Sequence, residues 1–184
     1  MRRILVLFSG GADSTLLLFM GRVITSKVGV VIYQYGQKHE KEIDFATSFL
    51  HTHPGLVSNV YYLSLDFKHV TSPLLSCREC QPRAGVHENH VPARNLIFVA
   101  HAAAIAESQG FDEIWYGADY SDRVNLFPDC TQEWVVKMNQ ILAVNGSCPL
   151  VLKAPLLGMP KEDIIIALEN CGVRKEEVFS GYAN

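Results

Sequence analysis

At 184 residues and 20.5 kDa, with 48% apolar and 19% charged residues, the chain can bury a core without disulfide or metal support. That composition excludes disordered, collagen-like and coiled-coil classes. Sixteen basic against nineteen acidic residues leave a net charge of −3, without the basic footprint of a nucleic-acid or membrane-surface binder, so the default partner is a small molecule.

Short apolar runs alternate with helical patterns along the chain. Arg3–Phe8 reads as a buried strand, too short for a signal-peptide core and ended by Ser9-Gly10-Gly11. Ser14–Val23 clusters Leu16, Leu17, Phe19 and Met20 as a helix does. Val28–Tyr33 is a second strand, His39–Leu50 a helix with Ile43, Ala46 and Leu50 at helical spacing, and Asn59–Leu63 a third strand. Pro92–Gln109 is a long Ala-rich helix closed by Gly110. Asp112–Tyr116 is a fourth strand, Thr131–Val144 an amphipathic helix, Pro149–Leu152 a fifth strand and Lys161–Asn170 a last helix. This alternation predicts one α/β domain over 1–184, a Rossmann-like parallel five-stranded sheet with helices on both faces. Long loops at 66–91 and 118–130 follow predicted strands and are expected at the ligand end of the sheet. No segment approaches the ~20 apolar residues of a membrane span, and five unevenly spaced cysteines suit a reducing compartment. A cytoplasmic location is expected.

The segment from Ser9 to Thr15, Ser-Gly-Gly-Ala-Asp-Ser-Thr, joins the first strand to the first helix. Two glycines admit close backbone approach to an anion, the helix start presents free N–H groups, and Ser9, Ser14 and Thr15 add hydroxyls. No Gly-Lys-Ser/Thr or Gly-x-Gly-x-x-Gly pattern is present, which excludes a Walker A loop and a dinucleotide fingerprint. Phosphate binding is the expectation; a turn in which Asp13 or Ser14 only caps the helix is the alternative.

Ser-Gly-Gly-x-Asp-Ser resembles the pyrophosphate loop of the N-type ATP pyrophosphatases, which adenylate a substrate and release pyrophosphate. Alone it leaves tRNA-thiolating enzymes, NAD synthetases and amide-forming synthetases open. Tyr35-Gly36-Gln37-Lys38-His39-Glu40, Val91-Pro92-Ala93-Arg94-Asn95, Phe127-Pro128-Asp129-Cys130 and Ala154–Lys161 narrow it. Together, in order and over nearly the whole chain, they look like the 7-cyano-7-deazaguanine synthase (QueC/ExsB) family. The resemblance implies an ATP-dependent ligase that uses Mg²⁺. It would adenylate the carboxylate of 7-carboxy-7-deazaguanine and, with ammonia, form the amide and then the nitrile. It implies that Ser9, Gly10, Gly11, Asp13, Ser14 and Thr15 hold phosphates, with Asp13 also toward Mg²⁺. Arg94 would pair with phosphate or carboxylate and Lys161 would stabilise leaving pyrophosphate. Tyr35, Gln37, His39 and Asn95 would contact nucleotide or substrate. Asp129 would accept from the deazaguanine N–H edge, and either Asp119 or Asp122 is the acidic residue the family carries earlier in that loop. A structural ion pair for Arg94 and a surface position for Lys161 are the plain alternatives.

The family's zinc site uses four cysteines near the C-terminus, the first within Ser-Cys-Tyr. Here Ser180-Gly181-Tyr182 stands in that place, so the familiar zinc site is expected to be missing. Cys77-x-x-Cys80 followed by His87-x-x-His90 has ligand-like spacing and is the candidate substitute; a polar lid whose side chains never converge is its alternative. A relative that stops at the amide or ligates the activated acid to another amine, a catalytically silent nucleotide-binding protein, and a homodimer all stay open at this stage.

Overall fold

Five short strands carry almost no charge and read as runs of Val, Ile, Leu and aromatics: β1 (Ile4–Leu7), β2 (Val28–Gln34), β3 (Asn59–Ser64), β4 (Glu113–Trp115) and β5 (Val151–Lys153). Such runs belong to strands buried on both faces, as β1, β2 and β4 are, whereas β3 at the sheet edge stays largely exposed. The computed structural model describes residues 2–37, 41–70, 72, 74–75, 90–120 and 127–179, and there the strands form one parallel sheet in the order β3-β2-β1-β4-β5.

Side chains alternate across a strand, and the core divides accordingly. Ile4, Val6, Val28, Val30 and Ile32 face α1 (Ala12–Ile24), α2 (Lys41–Thr52) and α5 (Lys161–Asn170). Leu5, Val31, Tyr33, Ile114 and Leu152 face α3 (Arg94–Gln109) and α4 (Gln132–Asn145). The expected sheet with helices on both faces is therefore the observed one. Among the described residues no helix is long and apolar enough to cross a membrane.

The elements differ from the sequence expectation mainly at helix starts. α1 begins at Ala12, directly after the glycine pair, two residues earlier than the apolar cluster suggested. α3 begins at Arg94 rather than Pro92, because Ala93 takes a left-handed conformation (φ 57°, ψ 14°) that no helix continues. Thr131 lies just outside α4 and caps it, its side chain accepting from the Trp134 N–H at 3.2 Å. β5 starts at Val151 rather than Pro149.

From β1 the chain moves outward through β2 to β3, then crosses back to lay β4 on the opposite side of β1. That reversal opens a crevice beyond the carboxyl ends of β1 and β4, the place where open α/β sheets bind ligands.

Candidate functional site

The glycine loop fills the crevice at the end of β1. Its hydroxyls shape it from within: the Ser9 N–H donates to Ser14 Oγ at 3.2 Å, the Gly11 N–H donates to Ser9 Oγ at 3.3 Å, and Ser14 Oγ donates to the Gly11 carbonyl at 3.1 Å. Two outside surfaces hold it. Gly10, at φ +81°, lies so close to α2 that a Cβ there would stand 2.7 Å from the Ala46 nitrogen. On another side the Phe179 N–H donates to the Gly10 carbonyl at 2.8 Å, and Gly11 and Phe179 form a parallel bridge. The Phe179 ring meets Phe45 of α2 edge-on at 5.7 Å. The loop after β4 then presses onto the first turn of α1: a Cβ on Gly117 would lie 3.0 Å from Asp13 Cβ and 3.2 Å from the Ser14 nitrogen.

Above this loop lies a cavity of about 320 Å³, a volume within the range of small-molecule sites. Ser9, Asp13 and Ser14 line one side; Arg94, Asn95 and Asp129 line it as well, with Tyr33, Tyr35, Phe98, His90 and Phe127 as aromatic wall. Tyr33 stacks on Phe98 at 4.1 Å and donates its hydroxyl to the Phe98 carbonyl at 2.8 Å. Burial pushes the Tyr33 phenol above its ordinary pKa. Tyr35 accepts a hydrogen bond from Arg94 Nη1 at 3.3 Å and packs edge-on against Phe67 and Phe98. Burial also raises the Tyr35 pKa, against the pull of Arg94. Burial works against the Arg94 charge, but Tyr35, Asp129 and Glu42 outweigh it, and its pKa stands above the ordinary value. A guanidinium kept charged at a helix start, beside an aromatic wall, is equipped to pair with a carboxylate or phosphate. Asp129 is fixed by its main chain, since Tyr116 Oη donates to the Asp129 carbonyl at 2.9 Å.

Beside the start of α1 and outside the cavity lining, Lys161 reaches from α5 to α1. Its Nζ donates to both Asp13 oxygens at 2.6 Å and stands 3.4 Å from Asp119 Oδ2. Burial raises the Asp13 pKa, Lys161 opposes that rise and Asp119 adds to it. For Lys161, burial works against the charge and the two carboxylates prevail, leaving its pKa raised.

Several sequence-predicted residues stand elsewhere than expected. Thr15 is fully buried beneath the loop, outside the cavity lining, and its Oγ1 has no hydrogen-bond partner among the described residues. One helical step beyond Ser14 turns it about 100° away from the cavity. Gln37 borders the cavity, but its amide is committed to main chain: Oε1 accepts from the Tyr35 N–H at 2.9 Å and Nε2 donates to the Tyr33 carbonyl at 3.3 Å. It braces the turn after β2 and so fixes Tyr35. Asp119 is 2% exposed against Lys161 and is not part of the cavity wall. Gly10 turns toward α2 and the Phe179 segment rather than lining the cavity. His39, Asp122, Cys77, Cys80 and His87 lie outside the described residues. His90, the fourth candidate zinc ligand, lies parallel to Phe127 with centroids 6.5 Å apart. Among the described residues no three His, Cys, Asp or Glu side chains converge on a metal position.

Tyr33, Phe98 and Glu42 belong to the lining without having been singled out from the sequence. A signal existed for two of them. Tyr33 and Tyr35 lie two apart, one in β2 and the other just beyond its end, and Arg94 and Phe98 are four apart on one helix.

Comparison with known proteins agrees with the motifs. Residues 3–184 match the model of the family described as "Queuosine biosynthesis protein QueC". The 7-cyano-7-deazaguanine synthase of Caldicellulosiruptor bescii is 33% identical over an alignment covering 98% of this chain and 83% of the relative. The enzyme of that name from a Nitratiruptor species is 32% identical, with 96% and 83% covered. Among solved structures, the U34-tRNA thiolase NcsA from Methanococcus maripaludis superimposes with a TM-score of 0.59 at 15% identity, covering 100% of this chain and 61% of that one. A predicted subunit of tRNA methyltransferase from Methanocaldococcus jannaschii gives 0.52 at 14% identity, covering 99% and 94%. At those identities the structural likeness speaks for the fold alone. The chain belongs to the QueC family.

Proposed function

We propose that this QueC-family chain is an ATP-dependent carbon–nitrogen ligase that converts 7-carboxy-7-deazaguanine and ammonia to 7-cyano-7-deazaguanine. The observation that carries this reading is the meeting, across one cavity, of the Ser9–Ser14 loop with Arg94, Asn95 and Asp129.

A carboxylate resists attack because oxide is a poor leaving group. Transfer of AMP from ATP to the carboxylate oxygen, with release of pyrophosphate, makes AMP the leaving group. Ammonia then attacks the acyl carbon, a proton is lost, and AMP departs to leave the amide. A second ATP adenylates the amide oxygen; loss of AMP and the nitrogen's protons gives the nitrile. In this scheme the free N–H groups at the start of α1, with the Ser9 and Ser14 hydroxyls, hold the phosphates of ATP. Arg94 pairs with the substrate carboxylate or the α-phosphate, held in aim by Tyr35. Asp129 accepts from the guanine-type N–H edge, and the aromatic wall offers a flat ring its faces. Lys161 offsets the charge of departing pyrophosphate.

Mg²⁺ is usually bound by one or two carboxylates together with substrate phosphates. Asp13, a carboxylate of the loop that borders the cavity, suits that requirement; the ion would neutralise phosphate charge. The product test is incubation with ATP, Mg²⁺, ammonia and the deazaguanine acid, followed by mass spectrometry. The nitrile with AMP is expected. The amide as sole product would replace this reading with an amide ligase, and AMP release indifferent to the acid would refute it.

A further inference from the structure

The first turn of a helix presents unpaired N–H groups and a partial positive charge, so a cation there is disfavoured. Lys161 is the first residue of α5, yet its ammonium is not released to solvent; it crosses to Asp13 on α1. One lysine is thereby shared between two carboxylates, at 2.6 Å to Asp13 and 3.4 Å to Asp119. The two acids are not equivalent. Asp13 borders the cavity, with about a quarter of its side chain exposed, whereas Asp119 is closed off at 2% and lies outside the lining. The main chain keeps Asp119 in register with Lys161: the Tyr120 N–H donates to the Met159 carbonyl at 3.2 Å, tying the loop after β4 to the segment that leads into α5.

We propose that Asp119 is a positioning residue that acts through Lys161, holding the ammonium beside the start of α1 so that Asp13 can exchange it for the charges of a bound Mg²⁺·nucleotide. This rests on the reading of that loop as the nucleotide site. With both carboxylates present the cluster carries a net −1, and Lys161 keeps an anchor when Asp13 turns elsewhere. With Asp119 neutral the cluster becomes a closed one-to-one pair: Asp13 is bound to its lysine, and releasing it strands a half-buried ammonium with no partner charge in reach. Asp119, cut off from the cavity, does not read the substrate.

The test measures binding of Mg²⁺·ATP and of 7-carboxy-7-deazaguanine separately, by calorimetry on the full chain, for wild type, Asp119→Asn, Lys161→Gln and the double variant. Urea unfolding checks each fold. Asp119→Asn is expected to weaken Mg²⁺·ATP about tenfold while leaving affinity for the acid in place. In the Lys161→Gln background the same change is expected to do nothing further, because its route is gone. Asp119→Ser carries the same comparison if the Asn variant lacks a cooperative transition. Weakened binding of the acid with Mg²⁺·ATP unaffected would overturn the proposal and return Asp119 to substrate reading. Full additivity with Lys161→Gln would also overturn it, as would unchanged Mg²⁺·ATP binding by Asp119→Asn. A folded wild type that takes up no Mg²⁺·ATP would instead overturn the nucleotide reading, and this proposal with it.

Discussion

Replacing each glycine of the nucleotide loop with alanine separates what the fold needs from what the ligand needs. At Gly10 the backbone sits at φ +81°, and a Cβ would meet the nitrogen and Cα of Ala46 at 2.7 and 3.0 Å. Those are backbone atoms in the middle of α2, which cannot yield without moving the helix. An L-residue in the left-handed region costs ~1–2 kcal/mol, and added volume against a packed neighbour ~1–3 kcal/mol, so Gly10→Ala is expected to lose about 2–5 kcal/mol of stability. At a slope of ~1–3 kcal/mol per molar urea, the unfolding midpoint drops on the order of 1–2 M. Gly11 is the opposite case. Its φ of −76° suits any residue, and a Cβ would meet only Ser9 Oγ, at 3.3 Å, and the Phe179 oxygen, at 3.9 Å. Gly11→Ala is expected to hold its midpoint within ~0.5 kcal/mol of wild type, while the methyl group blocks backbone approach and abolishes substrate-dependent AMP release. Urea unfolding followed by tryptophan fluorescence, beside an AMP assay, reads both. An unshifted midpoint for Gly10→Ala, or normal turnover by Gly11→Ala, refutes the reasoning.

Asp129→Asn replaces a carboxylate acceptor at the cavity wall and is expected to weaken the deazaguanine acid by ~1–3 kcal/mol with Mg²⁺·ATP binding kept; calorimetry showing unchanged acid affinity removes Asp129 as the reader. Ala93→Gly relieves the left-handed strain before α3, worth ~1–2 kcal/mol, at a chain-entropy cost of ~0.5–1 kcal/mol, for a net gain of about 0.5–1 kcal/mol; a lower melting temperature would contradict it. The Tyr33 pKa is raised in the fold from an ordinary 10.0, so the unfolded chain gives up that proton first. Its contribution is complete below about pH 10 and is lost as pH rises beyond; Tyr35 and Lys161 are shifted in the same direction. The urea midpoint is therefore expected to fall above pH 10, less steeply in Tyr33→Phe, and a midpoint constant to pH 11 would refute this.

The sheet was legible because strands such as Val28–Gln34 are apolar on both faces, and α5 was bounded to the residue by Lys161 and Asn170. The glycine loop was legible because strand, turn and helix are contiguous. What stayed hidden depends on distance or on phase. Lys161 and Asp13 are 148 residues apart, and nothing local announces their ion pair. Gln37 sits in a motif yet hydrogen-bonds its own main chain, a fact of side-chain reach that residue type does not encode. Thr15 follows a run of loop hydroxyls and is turned away by the helix that the run begins. Ala93 carries no mark of its left-handed backbone, since alanine in a sequence predicts continuation of a helix.

The hydrogen bond from the Phe179 N–H to the Gly10 carbonyl also sets an order of events during synthesis. Gly10 leaves the ribosome 169 residues ahead of Phe179, so one side of the loop stays bare while the segment between them is made. At ~5–20 residues per second that interval is on the order of ten seconds. β1 and its neighbour β2 can pair early, but the loop gains its last neighbour only after β5 and α5 exist. A nascent chain would thus acquire its sheet well before a finished glycine loop, and a ribosome stalled between β4 and Phe179 would hold a folded sheet whose loop lacks its final support.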